Sequence, residues 1–122
     1  MADISYSVQA QVSKGSLLQS FSASGVTADM STTGLIATTL NLGTATTQIT
    51  TTALSSLGLC FARSLATETT HVVTIGRLVS NTLHGAVSLR AGEAAVFRMA
   101  AGDYCANAAV ANSRVVLTIL EG

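Results

Sequence analysis

The side chains that could carry metal or acid–base chemistry are few and widely spaced in this chain. The two histidines, His71 and His84, are 13 positions apart and form no His-x-His pair. A metal-binding jelly roll needs several histidines and a carboxylate on adjoining strands, because a metal ion requires clustered ligands. We therefore expect His71 on a strand and His84 in a loop, and we predict no metal ligand, cofactor or catalytic residue.

The possible nucleophiles also lack the patterns that activate them. Cys60 and Cys105 are 45 positions apart, without metal-ligand spacing, and we interpret them as two buried thiols rather than a disulfide. Serine and threonine are abundant, yet none lies in a Gly-x-Ser-x-Gly motif. Phosphate-binding and dinucleotide glycine patterns are missing too. The sequence predicts a protein that is not an enzyme.

Two glycine-containing turns carry carboxylates. In the segment 90–93, Gly92 can supply a positive φ, and we expect the Glu93 carboxylate to accept backbone N–H bonds or to pair with an arginine. Gly102 precedes Asp103 in a second turn of this kind. We interpret Gly92, Glu93 and Gly102 as structural residues.

The arginines are the best candidates for anchoring an interface, because a guanidinium group makes bidentate bonds to carboxylates and carbonyls. The interface candidates are Tyr6, Arg63, Arg77, Arg90, Arg98 and Arg114. The alternative is that the arginines are solvated residues of a sheet surface.

Short strands must position these side chains. Residues Ile4–Val12 alternate strictly between apolar and polar, which is typical of a half-buried strand. A turn at Lys14–Ser16 leads into Leu17–Ser22, the second arm of a hairpin. Leu57–Leu65 alternates between large and small residues, and the small face predicts a closely packed second layer. The last strand, Arg114–Leu120, is apolar enough to predict burial on both faces.

Turn signals recur about every 8–12 residues and divide the chain into eight to ten short strands, with a loop at Asn81–Gly85. This pattern predicts an all-β, single-domain β-sandwich over residues 1–122. A jelly roll is preferred, and an immunoglobulin-like sandwich or small barrel is the alternative. Residues 1–15 are a possible N-terminal arm or edge strand. The alanine-rich segments 94–101 and 106–111 leave a helix open as the alternative.

Composition favours association with other proteins. Alanine supplies 19 of the apolar residues, so the core is thin and burial in an oligomer would add stability. The net charge is zero and there is no basic stripe, which argues against nucleic-acid binding. No apolar run reaches the roughly 18 residues of a membrane-spanning helix. The first residues lack the features of a signal peptide, so we expect synthesis in a cytoplasm.

Four segments of the C-terminal half resemble a known class of proteins. They are Leu57–Leu65, His71–Gly76, Ser88–Met99, with its Leu-Arg-Ala-Gly-Glu turn, and the apolar end Val115–Leu120. Together they are similar to small β-sandwich virion structural proteins of tailed bacteriophages, in particular head decoration (cement) proteins.

This resemblance implies a capsid decoration subunit in the virion, made in the host cytoplasm, without a cofactor. It implies a homo-oligomer, preferably a trimer, that stabilises the phage head by contacting the major capsid protein or another virion protein. One alternative is a tail or baseplate component or a receptor-binding β-sandwich. The other, a small metal-binding jelly-roll enzyme, would need a ligand cluster that the sequence does not show.

Overall fold

A computed structural model describes residues 3–122, in which all regular structure is β-strand. The strands are β1 (Ile4–Lys14), β2 (Leu17–Ala28), β3 (Leu35–Leu42), β4 (Thr47–Ile49), β5 (Leu57–Ser64), β6 (Val73–Val79), β7 (Thr82–Leu89), β8 (Ala94–Arg98), β9 (Tyr104–Ala108) and β10 (Ser113–Glu121). The predicted all-β fold is confirmed. The chain divides into two compact units, one ending at Ser31 and one running from Thr32 to Gly122. That residues 1–122 form a single domain stays a prediction.

The first unit is a two-stranded antiparallel ribbon made of β1 and β2. The predicted turn forms at Gly15 and Ser16, where Gly15 has a φ of 58°. At the base of the ribbon, the backbone N–H of Met30 donates a hydrogen bond to the Asp3 carboxylate over 2.9 Å. β2 extends to Ala28, six residues beyond the strand that the sequence predicts.

A β-bulge explains why the second ribbon strand is longer than its alternation suggests. Tyr6 pairs with Val26 and Val8 pairs with Ala23, so β2 carries one extra residue between these pairs. Gly25 lies within the bulge with a φ of 65°, a conformation that glycine adopts without strain. The bulge shifts the phase of β2, and Val26 therefore lies on the same face as Ala23.

The second unit is a β-sandwich of two four-stranded antiparallel sheets. Their strand orders are β3-β10-β5-β8 and β4-β9-β6-β7. Among these eight strands, only β6 and β7 are consecutive and share a sheet, and the other connections cross between the sheets. A constant-type immunoglobulin domain keeps three consecutive pairs together, so its order differs from this one. The observed order is compatible with the jelly roll, which stays a prediction.

The hydrophobic core lies between the two sheets and follows the period-two alternation of the strands. The first sheet contributes Leu42, Cys60, Ala62, Val115, Leu117 and Ile119, and the second contributes Ile49, Val73, Ile75, Leu89, Tyr104, Ala106 and Ala108. The predicted small face of β5 packs into this core, where Gly58, Cys60, Ala62 and Ser64 are buried. The close second layer predicted from these small side chains is confirmed.

Three local predictions need correction. Ser80 and Asn81 both have positive φ and form a two-residue turn of the hairpin type, so the predicted loop at Asn81–Gly85 is instead the start of β7. His84 consequently lies on a strand, whereas His71 precedes β6. The alanine-rich segments need no correction: Ala94–Arg98 forms β8 and residues 106–108 belong to β9, so the preferred strands are confirmed and the helix alternative is wrong. The outward residues of β10 are only half-buried or exposed, so burial on both faces of the last strand was wrong.

Candidate interaction surfaces

His71, Ser113 and Glu68 form a cluster that superficially suggests a catalytic triad. The His71 Nδ1 lies 2.8 Å from the Ser113 hydroxyl oxygen, and its Nε2 lies 3.6 Å from a Glu68 carboxylate oxygen. Ser113 is, however, completely buried, and its hydroxyl donates to the Val110 carbonyl over 2.7 Å. A buried hydroxyl whose proton is already donated cannot attack a substrate. The cluster anchors the β9–β10 turn to the segment before β6.

The two cysteines are free, buried thiols, as the sequence predicted. Burial raises the pKa of Cys60 to about 12 and also raises the pKa of Cys105. Both side chains therefore stay protonated near neutral pH, and a thiol rather than a thiolate is a poor nucleophile.

Glu121, near the end of β10, is the most strongly hydrogen-bonded carboxylate in the described part of the chain. It accepts hydrogen bonds from the Ser55 hydroxyl, from the Ser55 backbone N–H over 2.9 Å and from the Thr32 hydroxyl. The Ser55 and Thr32 hydroxyl bonds hold the pKa of Glu121 below its ordinary value. A Cβ on Gly34 would displace this carboxylate and the Leu54 side chain. The arrangement fastens two loops to the last strand.

The predicted turn at Gly92 forms, whereas the chain makes a bend at Gly102. Gly92 has a φ of 75°, and the Glu93 carboxylate accepts a hydrogen bond from the Arg90 backbone N–H over 2.6 Å. Gly102 has a φ of 143° and lies directly against the guanidinium group of Arg77, which is 5.6 Å from the centre of the Tyr104 ring. Arg77 thus belongs to a local stack at the end of the core.

A cleft of about 340 Å³ opens between the two sheets beside this stack. It is mostly apolar and is lined by Ile75, Val87, Phe97, Met99 and Tyr104, with Arg77 and Arg98 also in its lining.

The outward side of the sheet β3-β10-β5-β8, here called the outer sheet face, is a second candidate interaction surface of the sandwich. Its apolar centre comprises Phe61, Val96 and Val116, around a shallow depression of about 240 Å³. Val96 is 38% exposed, and Leu35 at one end of the face is 56% exposed. An antiparallel sheet that faces water normally carries polar residues there, so this composition is typical of a surface that contacts another protein.

The structure brings three of the predicted interface arginines to this face. Arg63, Arg98 and Arg114 alternate with buried neighbours on β5, β8 and β10, and all three are exposed. Within residues 3–122, the five arginines form no ion pair with a carboxylate. Arg77 instead stacks on Tyr104, Arg90 lies in the β7–β8 turn, and Tyr6 lies on the ribbon.

The ribbon carries a second apolar surface, here called the ribbon face. Residues directly opposite each other in an antiparallel pair share a face. The paired residues of this face are Ile4 with Ala28, Tyr6 with Val26, Val8 with Ala23, Ala10 with Phe21, Val12 with Gln19 and Lys14 with Leu17. The other face is almost entirely Ser, Thr and Gln, apart from Leu18. Val12 on β1 is 45% exposed, so the half-buried first strand predicted from its alternation is largely exposed at its distal end. Phe21 and Leu17 on β2 are 59% and 58% exposed.

No family model, curated protein or solved structure matches this chain. In the part of the chain that the structure describes, no group of three or more His, Cys, Asp or Glu is placed to hold a metal ion. Nor do residues 3–122 contain a helix long and apolar enough to cross a membrane.

The surface positions of several residues were not predicted from the sequence. Phe21 and Leu17 lie in a segment that the sequence identified only as a hairpin arm, because Leu18 and Gln19 interrupt its alternation. Val96 and Val116 were assigned to strands, but period-two alternation does not distinguish an apolar outward residue from a core residue. The signal that could have found the ribbon face is the cross-strand pairing that a turn at Gly15 imposes.

Proposed function

We propose that this protein is a non-enzymatic structural subunit of a bacteriophage virion, a capsid decoration protein that self-associates and stabilises an assembled head by contacting the major capsid protein. The observation that carries the proposal is the outer sheet face. It combines an apolar centre with three exposed arginines that have no carboxylate partner within residues 3–122.

This composition fits a protein partner whose surface presents carboxylates around an apolar patch. Interface anchors are enriched in arginine, because its planar fork binds a carboxylate through two parallel hydrogen bonds. The apolar centre around Val96 and Val116 would supply the area that excludes water from these ion pairs. Single contacts of this kind are modest, and repetition over a symmetric shell multiplies them by avidity.

The proposal is tested by sedimenting the purified protein with heads assembled from the cognate major capsid protein, and separately with unassembled capsid subunits. We expect binding to heads and none to free subunits, because avidity requires a repeating surface. Equal binding to both would contradict the decoration mechanism. Binding to isolated tails instead of heads would favour the tail or baseplate alternative.

Two variants locate the contact. Arg63→Glu reverses a charge on the outer sheet face and should weaken head binding by about tenfold or more, the effect of losing one well-placed charge pair. Arg90→Glu makes the same change in the β7–β8 turn and serves as the matched control. If both variants bind like the wild type, the outer sheet face is not the contact.

A further inference from the structure

We infer that copies of this chain associate in pairs through the free edge of β3, which forms an antiparallel strand pair with β3 of a second copy. The pairing would join two four-stranded sheets into one continuous sheet. This inference rests on the self-association in the proposed function. It assigns that association to a strand edge and to an assembly with an even number of copies.

The hydrogen bonding of β3 carries the first step. Within residues 3–122, β10 is the only strand that pairs with β3, in an unbroken register from Leu35 to Leu42. The backbone groups of a strand point to both of its sides, so about half of the N–H and C=O groups of β3 point away from β10. Such a row of backbone donors and acceptors is a template for another strand, because an extended backbone can satisfy all of them.

The other three sheet edges of the sandwich each carry a feature that discourages strand pairing, and β3 carries none. β4 is only three residues long, β8 has five residues and ends at the exposed Arg98, and β7 has a bulge at Ala86. β3 has eight residues, pairs with β10 without a bulge, and contains neither proline nor a charged side chain. Proteins protect free edges with short strands, charges and bulges, so an unprotected edge is typical of a strand that pairs in an assembly.

The charge distribution and the core indicate that the partner is a second copy. No residue between Asp29 and Arg63 is charged, so the consecutive edge strands β3 and β4 offer no group for a charged partner to recognise. Ile36 and Leu40 share the inward side of β3 with the buried Leu42, yet they are only half-buried. They lie at the open end of the core, and an identical edge would add the same two apolar side chains there.

The alternation of β3 defines the register of such a pair. A twofold axis perpendicular to the sheet keeps the core sides of both copies together, so inward residues must oppose inward residues. With the axis at Thr38, Ile36 of each copy lies opposite Leu40 of the other, and Thr38 lies opposite itself. Directly opposed apolar residues and Thr–Thr pairs both stabilise antiparallel strands. An axis at Thr39 would oppose Leu40 with Thr38, which matches polarity less well.

The first test is the mass of the full chain in solution, measured by light scattering over a range of concentrations. The double variant Ala37→Lys/Thr39→Lys changes two exposed outward positions of β3 that oppose each other across the proposed pair, so like charges would face each other. Ala94→Lys/Val96→Lys is the matched control, because it adds the same charges on the same side of β8, the opposite edge of this sheet. We expect a dimer for the wild type and the control, and a twofold fall to the 12.4 kDa monomer for the β3 variant. Circular dichroism verifies that both variants stay folded.

A second pair of variants guards against misfolding. Thr38→Cys places a thiol on the proposed axis with little change in volume, and Ala94→Cys places one on β8, while the two native cysteines are buried. The Cβ atoms of directly opposite residues are about 4.5–5.5 Å apart, which a disulfide can bridge after a small adjustment. Oxidation should therefore cross-link Thr38→Cys between copies at least tenfold more than Ala94→Cys. Equal cross-linking of both would overturn the inference.

The remaining outcomes separate this inference from the proposed function. A wild-type trimer, or a dimer that the β3 lysine variant leaves intact, overturns the edge pairing but not the decoration role. A wild type that is monomeric at every concentration overturns the inference, and if the β3 lysine variant then loses head binding, a strand of the shell occupies the edge. A dimer that dissociates in the β3 lysine variant but never binds heads upholds the edge pairing while the decoration role fails.

Discussion

The ribbon and the sandwich are built from strands with the same period-two alternation, yet they bury their apolar side chains to very different extents. In the sandwich, Leu117 and Ile119 are completely buried between two sheets. On the ribbon, Val12 and Phe21 occupy the equivalent apolar side of their strands and are 45% and 59% exposed. Alternation thus determines which residues share a face, whereas burial depends on a second layer that the strand itself does not provide.

On the outer sheet face, the exposure of the apolar side chains is intermediate between that in the core and that on the ribbon. Val116 and Leu120 on β10 are half-buried by neighbouring side chains of their own sheet, although no third layer covers them within Thr32–Gly122. The outward side of this sheet therefore leaves apolar side chains partly exposed, as the ribbon does, whereas its inward side buries them completely. Apolar residues on the outward side of a sheet are typical of a surface that contacts another protein.

The largest difference between the two regions is expected when one leucine in each is replaced by alanine. Leu117→Ala should lower the free energy of unfolding by about 2–5 kcal/mol, because the cavity forms inside a packed core. Leu17→Ala on the ribbon should change it by less than about 0.5 kcal/mol when the protein is dilute enough to be monomeric. Urea denaturation measures both. A comparable loss for Leu17→Ala would mean that one copy of the chain already covers the ribbon face.

The next largest change in stability is expected at Glu121, whose carboxylate fastens two loops to β10. Glu121→Gln should destabilise the protein at neutral pH, since the amide loses the negative charge and directs an NH₂ group at the hydroxyl donors of Ser55 or Thr32. The pKa of Glu121 is lowered in the folded state, so the stability that it contributes is complete above its ordinary pKa of 4.5. That contribution is lost as the pH falls through the folded pKa.

Thermal denaturation between pH 7 and pH 3 measures this effect. The difference in Tm between the wild type and Glu121→Gln should be constant above about pH 5 and should shrink at lower pH. Asp29→Asn is the control, because Asp29 is an exposed carboxylate. A constant difference down to pH 3 would show that the hydrogen bonds of Glu121 do not depend on its charge.

A smaller effect is expected at the end of the core. Gly102→Ala should cost about 1–3 kcal/mol, because φ is positive there and the new methyl group would displace the Arg77 guanidinium. Gly92→Ala is the matched control, since its φ is also positive but nothing lies within 4 Å of the new atom. In an Arg77→Ala background, the cost of Gly102→Ala should fall towards that of Gly92→Ala. An unchanged cost in that background would exclude the contact with Arg77 as its cause.

The sequence predicted the strands better than it predicted the surfaces. Alternation over Ile4–Val12 and the small face of Leu57–Leu65 identified the right strands, because side-chain period is a local property. The turn at Ser80 and Asn81 was missed, since it lacks the Asn-Gly or Asp-Gly pair that usually indicates this turn type.

The candidate surfaces were harder to predict, because they depend on which strands become neighbours. Arg63, Arg98 and Arg114 lie far apart in the sequence, and only the order β10-β5-β8 brings them to one face. Arg77 was grouped with them although it stacks on Tyr104, a cross-strand partner that no local pattern indicates. The bulge at Gly25 similarly conceals that Phe21 and Val26 share the ribbon face.

The smallest change in the free energy of unfolding is expected at Arg90. It tests whether substitutions at exposed positions of the sandwich leave its stability unchanged, as we expect for the polar side of the ribbon. Arg90→Ala should alter the free energy of unfolding by less than about 0.5 kcal/mol, because the turn uses only the backbone N–H of this residue, which alanine retains. Glu93→Ala removes the acceptor of that bond and should cost more. Urea denaturation compares the two variants. If Arg90→Ala is as stable as the wild type but binds heads more weakly, the arginine acts at an interface, and the contact extends beyond the outer sheet face to the β7–β8 turn.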